Sequence, residues 1–381
     1  MSKILMVNVP YSGHTNPTLP LTRQLVNRGH QVTYINAPEW KEKIEATGAV
    51  FVPYLDYPEG LSAQQKKVRC FKAAFHTAMQ VGAGHDLLIY EMFFYLGKTI
   101  ADRLGIPCVR QFSQPAWSAK NAGRASFLRR LSCLIIDAQV LNRKVAAELG
   151  VKDKRLIESV LYDKAAINIV YLPEKFQPYR QDFDQSFVFC VPPMQQLIVS
   201  KHHIPFEKMA KPIIYISMGS IISSKIFCRR CIKAFGNREL SVILNTGKVN
   251  PEELGNIPPN IWAYSFVPQL EVLQNTDLFI THGGMNSVNE AMYYGVPMLV
   301  MPIVNDQPVN AQRVEKLNLG RKVRAFPITA AVLYKRAMDV LNSHDITNSC
   351  KNMEKEIKQG ITIDNVIDII EGILQEDDCK R

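Results

Sequence analysis

A short apolar run, Leu278-Phe279-Ile280, leads straight into His282-Gly283-Gly284. A helical run ending at Gly295 follows, and then a second apolar run over residues 296–302. Two buried strands joined through one helix over such short connections read as parallel neighbours in one sheet. The same alternation opens the chain. Residues 3–9 read as a strand, the loop 10–17 leads into a helix through Arg28, and Gly29 caps it. Residues 31–36 are the next strand, 39–47 a helix closed by Gly48, and 50–53 a third strand. This rhythm predicts an α/β fold built on parallel sheets.

A strand that delivers two glycines to a helix start is suited to an anion. Glycine lets the backbone approach the ligand, and the first helical N–H groups lack partners within the helix. The helix dipole also favours negative charge there. His282 at the strand end, Gly284 at the turn and Ser287 in the first turn are placed to meet phosphate oxygens. The next strand delivers Asp306-Gln307, an acceptor and an amide that suit sugar hydroxyls. Phosphate followed by hydroxyls points to a nucleotide sugar.

The remaining pattern completes two such units. Residues 85–91 form a strand ending in Glu91 and followed by Met92-Phe93-Phe94-Tyr95; 107–112 form another, followed by the polar and aromatic stretch to Trp117. A helix is expected near 68–79 and a long one over 121–149, closed by Gly150. Short strands follow at 167–171 and 187–191. Pro192-Pro193 and the weakly patterned stretch to Lys211 read as a linker. A second unit begins with the strand 212–217, the turn Met218-Gly219-Ser220 and a helix through Phe235, then strands at 240–245 and 261–265. Apolar residues at helical spacing over 361–374 give a terminal helix. The expected division is therefore 1–195, a linker at 196–211, a second domain at 212–360, and 361–381.

His14 lies in the first strand-to-helix loop, where ligands of open α/β sheets bind. Its neighbours are Gly, Thr, Asn and Pro, which is a poor setting for a core histidine. Catalysis and loop hydrogen bonding are both open on chemistry alone. Glu91 reads from its place alone as an N-cap or first-turn carboxylate for the following helix. His30, after Gly29, reads as a helix-end cation facing water.

A chain of 381 residues is too long for one ordinary core, and 47% hydrophobic with 21% charged residues is a globular composition. A net charge of +10 suits an anionic substrate. No long Lys/Arg block with interleaved aromatics points to nucleic acid. The basic, apolar stretch 124–136 reads as a solvated helix face or as a surface for a membrane or an oily acceptor. No run is long enough to span a bilayer and no signal-peptide layout opens the chain, so a cytoplasmic location is expected. The eight cysteines then read as reduced thiols, and Cys228-Arg229-Arg230-Cys231 lacks the second pair or histidine cluster of a zinc site.

The motifs Phe266-Val267-Pro268-Gln269, His282-Gly283-Gly284-Met285-Asn286-Ser287-Val288-Asn289-Glu290, Gly295-Val296-Pro297 and Asp306-Gln307 resemble a known signature. It is the donor-binding signature of UDP-dependent family 1 glycosyltransferases, with the bacterial macrolide- and small-molecule-modifying members most similar. Gly13-His14-Thr15-Asn16-Pro17 resembles the family's N-terminal motif, whose histidine is the catalytic base. The resemblance implies the GT-B architecture, two Rossmann-like domains facing across a cleft, with the terminal helix crossing back onto the first. It implies Glu91 in place of the family's Asp beside His14. It implies a donor site of Ser220, Phe266, Val267, Gln269, His282, Gly284, Asn286, Ser287, Glu290, Asp306 and Gln307, with Phe266 where many relatives stack a Trp on the base. Asn310 is open between a sugar contact and a structural amide.

The acceptor would meet loops 54–83 and 111–124, with Phe93, Phe94, Phe112 and Trp117 as lining. The implied reaction moves a hexose, glucose first, from UDP to a hydroxyl of an apolar small molecule. It inverts the anomeric carbon and needs neither metal nor cofactor. Lipid or envelope glycosylation, and nucleotide-sugar binding with little catalysis, are the competing readings.

Overall fold

Strands whose residues are buried on both faces dominate this chain, as expected of parallel sheets covered by helices. The computed structural model describes residues 1–120, 127–151, 154–191, 194, 204–219, 224–304, 306–324 and 327–378. It divides into two compact units, Met1–Pro193 with Ile361–Arg381, and Met194–Gly360.

In the first unit β1 (Lys3–Val7) leads through α1 (Ser12–Thr15) and α2 (Leu19–Asn27) to β2 (Gln31–Asn36). Then come α3 (Lys41–Glu45), β3 (Val50–Pro53), α4 (Ala63–Val81), β4 (Leu87–Glu91), α5 (Gly97–Leu104) and β5 (Cys108–Phe112). After α6 (Phe127–Val140), α7 (Arg143–Glu148) and α8 (Leu156–Tyr162), strands β6 (Ile167–Val170) and β7 (Phe187–Phe189) close the sheet. Its order is β3-β2-β1-β4-β5-β6-β7, parallel throughout. Every residue of β4 and β5 is buried. Each wholly buried Leu, Ile or Val there contributes ~1.5–3 kcal/mol. The order turns back between β1 and β4, the position at which ligands meet the carboxyl ends of strands.

The second unit runs β8 (Ile213–Ser217), α9 (Lys225–Phe235), β9 (Ser241–Asn245), β10 (Ile261–Tyr264), α10 (Gln269–Gln274), β11 (Leu278–Thr281) and α11 (Met285–Tyr293). Strand β12 (Met298–Val300), α12 (Gln307–Lys316), β13 (Gly320–Lys322), α13 (Ala330–Leu341) and α14 (His344–Gln359) follow. Its sheet, β10-β9-β8-β11-β12-β13, is again parallel and turns back between β8 and β11. Cys228 and Cys231 lie buried on α9, and burial pushes both thiols up.

The terminal helix α15 (Ile363–Asp378) packs against α2 within the first unit, burying Val366, Ile367 and Ile370. Two expectations are corrected nearby. His30 does not face water: it is buried, and its Nε2 lies 3.2 Å from Glu371 Oε1 of α15. The long helix expected over 121–149 is broken at Leu141, because the Asn142 side chain accepts the N–H groups of Lys144 and Val145 and starts α7. Its first six residues lie outside the described residues, as do 192–193 and 195–203 of the stretch read as a linker.

Candidate active site

The loop after β1 is held by buried polar side chains. Asn8 Nδ2 donates to the His14 carbonyl and to Tyr34 Oη, both at 3.0 Å, and Thr15 Oγ1 donates to the Val9 carbonyl. Thr18 Oγ1 pairs with Tyr34 Oη, and Tyr54 donates to the Asn8 carbonyl. A buried network with its partners in place is stiff, so the His14 backbone is fixed from beneath. Its ring keeps 20% of its surface in solvent and packs edge-on against Phe93 at 4.7 Å.

At the end of β4, Glu91 is wholly buried and aims Oε1 at His14 Nδ1, 3.0 Å away. Its Oε2 accepts the Phe93 N–H at 2.8 Å. One oxygen thus serves the turn and the other meets the histidine, as the resemblance implies; the N-cap or first-turn role is corrected, because α5 begins at Gly97 with Leu96 as its N-cap and no acidic residue in its first turn. Ser113, just past β5, completes the group: its hydroxyl donates to Glu91 Oε1 at 2.8 Å and stands 2.9 Å from His14 Nδ1. Sequence reasoning did not single out Ser113. The available signal was a hydroxyl two residues past Gln111, the register partner of Glu91, and therefore on the same sheet face.

The expected acceptor aromatics separate. Phe93 is half-buried beside His14 and Trp117 is partly exposed. Phe94 and Phe112 have no exposed surface: Phe94 packs on Phe71 and Phe112 on Phe187. Both are core side chains rather than lining, because the carboxyl end of a central strand and the turn after it also feed the interior.

In the second unit the glycines serve a close approach. A Cβ on Gly219 (φ +73°) would stand 2.5 Å from His282 Cε1, and one on Gly284 2.6 Å from its Nε2. Only glycines let both loops close around the buried imidazole. His282 Nδ1 is buried with no hydrogen-bond partner among the described residues, and burial lowers the His282 pKa while Asp306 raises it. The ring is therefore neutral near pH 7, with polar atoms to offer a ligand. Gly284 caps α11, so the first N–H groups of that helix open beside His282.

Behind them Gln269, Ser287 and Glu290 meet. Gln269 Nε2 donates to Glu290 Oε2 and, at 3.2 Å, to Ser287 Oγ. Gln269 Oε1 accepts from Tyr215 Oη at 3.0 Å, a contact the sequence did not suggest. Burial pushes Glu290 up to about 7, and the Gln269 amide pulls against it. Phe266 is an exposed ring, 59% accessible, beside the buried Val267. Asn286 is half-buried in the first turn of α11. Gln307 is buried, its Oε1 accepting the N–H groups of Ile303 and Val304. Asp306 Oδ2 accepts from Asn310 Nδ2, which also donates to the Gly283 carbonyl. Asn310 thus ties the glycine loop to α12 and is a structural amide. Ser220 lies outside the described residues.

Residues 188–350 match the family model for UDP-glucoronosyl and UDP-glucosyl transferase. Across 93% of both chains, the sequence is 31% identical to the NDP-glycosyltransferase YjiC of Bacillus subtilis (strain 168). The chain belongs to this glycosyltransferase family. It is also 26% identical to the oleandomycin glycosyltransferase of Streptomyces antibioticus, over 97% of this chain and 90% of that one. Among solved structures, the glycotransferase of kitacinnamycin superposes with a TM-score of 0.85 at 26% identity, covering 98% of this chain and 99% of that one. The glycosyltransferase thus carries the two parallel-sheet α/β domains of the GT-B class. One holds the His14–Glu91–Ser113 group and the other the glycine loops around His282.

Proposed function

We propose that this glycosyltransferase moves a hexose, glucose first among candidates, from UDP to a hydroxyl of an apolar small molecule, with inversion at C1. The observation that carries this reading is the His14 Nδ1–Glu91 Oε1 contact of 3.0 Å. A hydroxyl is a weak nucleophile, so a positioned base is needed. With Nδ1 turned to Glu91, the ring nitrogen that takes the acceptor's proton is Nε2. The acceptor oxygen bonds to C1 as the C1–O bond to the diphosphate breaks, and UDP leaves with the electron pair. The buried carboxylate stabilises the imidazolium that forms.

Charge gathering on the leaving diphosphate is met by His282, Ser287 and the N–H groups opening α11. Phe266 offers a face for the uracil ring, and Glu290 with Gln269 offers acceptors and donors for the ribose. The names of relatives that act on natural products support a small-molecule acceptor. The exposed Leu131, Leu134 and Ile135 on α6 support an oily one and favour, as a second reading, an acceptor presented by lipid. No helix among the described residues is long and apolar enough to cross a membrane. We place the enzyme in the cytoplasm, where nucleotide sugars are made.

The test is incubation with UDP-glucose and a panel of phenolic and macrolide alcohols, read by mass spectrometry and by the anomeric coupling of the product. The reading expects an added hexose in β linkage, undiminished by a chelator. UDP-glucose left untouched across the panel, an α product, or activity that returns only with added divalent metal would contradict it.

A further inference from the structure

The base of the proposed reaction is held by more than a carboxylate. Ser113 is buried, and its Oγ closes a triangle with Glu91 Oε1 at 2.8 Å and His14 Nδ1 at 2.9 Å. A hydroxyl has one proton to give, and here the carboxylate accepts it. The Ser113 oxygen therefore turns a lone pair toward Nδ1, and that nitrogen must carry hydrogen to avoid facing two acceptors bare. We propose that Ser113 is a positioning residue that locks His14 in its Nδ1–H tautomer and moderates the charge Glu91 presents to it. The proposal rests on the reading of His14 as the base.

The need for such a residue follows from Glu91 itself. A glutamate has one more rotatable bond than an aspartate, so its carboxylate can swing. Here each oxygen is pinned: Oε2 by the Phe93 N–H and Oε1 by Ser113 and His14. The hydroxyl bond also withdraws part of the carboxylate's charge from the imidazole, leaving His14 less strongly held as a cation and so more available as a base near neutral pH. Among the described residues, the other titratable side chains facing the group are phenols. Tyr11 lies on the same loop, its ring 6.2 Å from that of His14, Tyr34 comes from β2, and Tyr171 follows β6. Burial pushes Tyr34 up to about 12 and raises Tyr11 and Tyr171 as well, so all three stay neutral across an enzyme assay. The acid limb of the rate profile then reports His14 against Glu91.

The experiment compares wild type, Ser113→Ala and Ser113→Thr in two measurements. In the transfer assay, kcat of Ser113→Ala falls about tenfold, the scale of a hydrogen bond to a charged group, while the acceptor KM holds. The acid limb of kcat/KM moves to higher pH, and Ser113→Thr, which keeps the hydroxyl, restores both. An unmoved limb in Ser113→Ala, or equal impairment of the Ala and Thr proteins, overturns the proposal in favour of simple packing. The second measurement is the ¹⁵N shifts of the His14 ring, assigned with a His14→Gln protein, which need no turnover. They are expected to show protonated Nδ1 in wild type and exchange between tautomers in Ser113→Ala; identical spectra overturn the proposal. A wild-type protein that transfers no sugar defeats the reading of its function, while the ring spectra still decide the role of Ser113.

Discussion

At the scale of single residues, the glycosyltransferase depends on a few side chains held by contacts from several elements. Glu91→Gln keeps the shape of the carboxylate and removes its charge, so the imidazolium formed during transfer loses its partner. We expect kcat to fall by about 10²-fold or more, the range of general-base contributions, with UDP affinity unchanged, as transfer kinetics beside calorimetry would show. Gly219→Ala acts on the other unit. The new methyl would stand 2.5 Å from the His282 ring, in a backbone conformation that alanine resists. The ring must move, and UDP affinity should drop about tenfold, the loss of one charge-assisted contact, while the ¹⁵N spectrum of His14 stays as it was. An unchanged UDP affinity would remove His282 from the anion site.

At the scale of elements, α11 joins a helix N-terminus to a carboxylate one turn further on. Glu290 titrates at about 7, above its ordinary 4.5, because burial disfavours its charge. The folded state therefore prefers the neutral acid. That preference costs nothing below about 4.5 and weighs against folding as pH rises to about 7 and beyond, on the order of 3 kcal/mol at most. Glu290→Gln should flatten this slope and raise the melting temperature at pH 8. Under the proposed contact, in which ribose hydroxyls donate to the carboxylate, nucleotide binding runs the other way. UDP affinity should tighten between pH 6 and pH 8 in wild type and stay flat in Glu290→Gln. A wild-type affinity independent of pH would place Glu290 away from the ribose.

Strands β1, β4, β8 and β11 were visible as apolar runs bounded by Gly, Pro or polar turns, and the parallel arrangement followed from the helices between them. His14 and the stretch from Phe266 to Gln307 stand out because their residue types are those of a ligand loop rather than of a core. Ser113 was hidden, since its role depends on β5 lying beside β4, which is a matter of strand order and not of local pattern. His30 was misread because its partner, Glu371, is 341 residues away. Asn142 was read through as helix, although Asn caps helices more readily than it continues them.

At the scale of the whole molecule, the first unit is completed by the end of the chain. Ile367 and Ile370 of α15 are wholly buried, and Arg28 of α2's end pairs with Asp368 at 3.0 Å on the rim. Truncating both isoleucines to alanine should cost ~2–5 kcal/mol each and lower the first melting transition, whereas Arg28→Ala should cost far less because its pairs lie in water. The residues proposed for the donor all belong to the second unit, so UDP affinity at low temperature should survive the isoleucine changes. A loss of UDP binding in step with that transition would mean that the two units do not melt separately.

The central claim is that transfer of the sugar depends on His14 acting as a base. It is tested most directly by following hexose addition from UDP-glucose to the acceptor panel with wild-type and His14→Ala proteins shown by calorimetry to bind UDP equally. The account predicts hexose on at least one alcohol with the wild type and a loss of at least about 10²-fold in the variant. A His14→Ala protein that transfers sugar as fast as the wild type would contradict it.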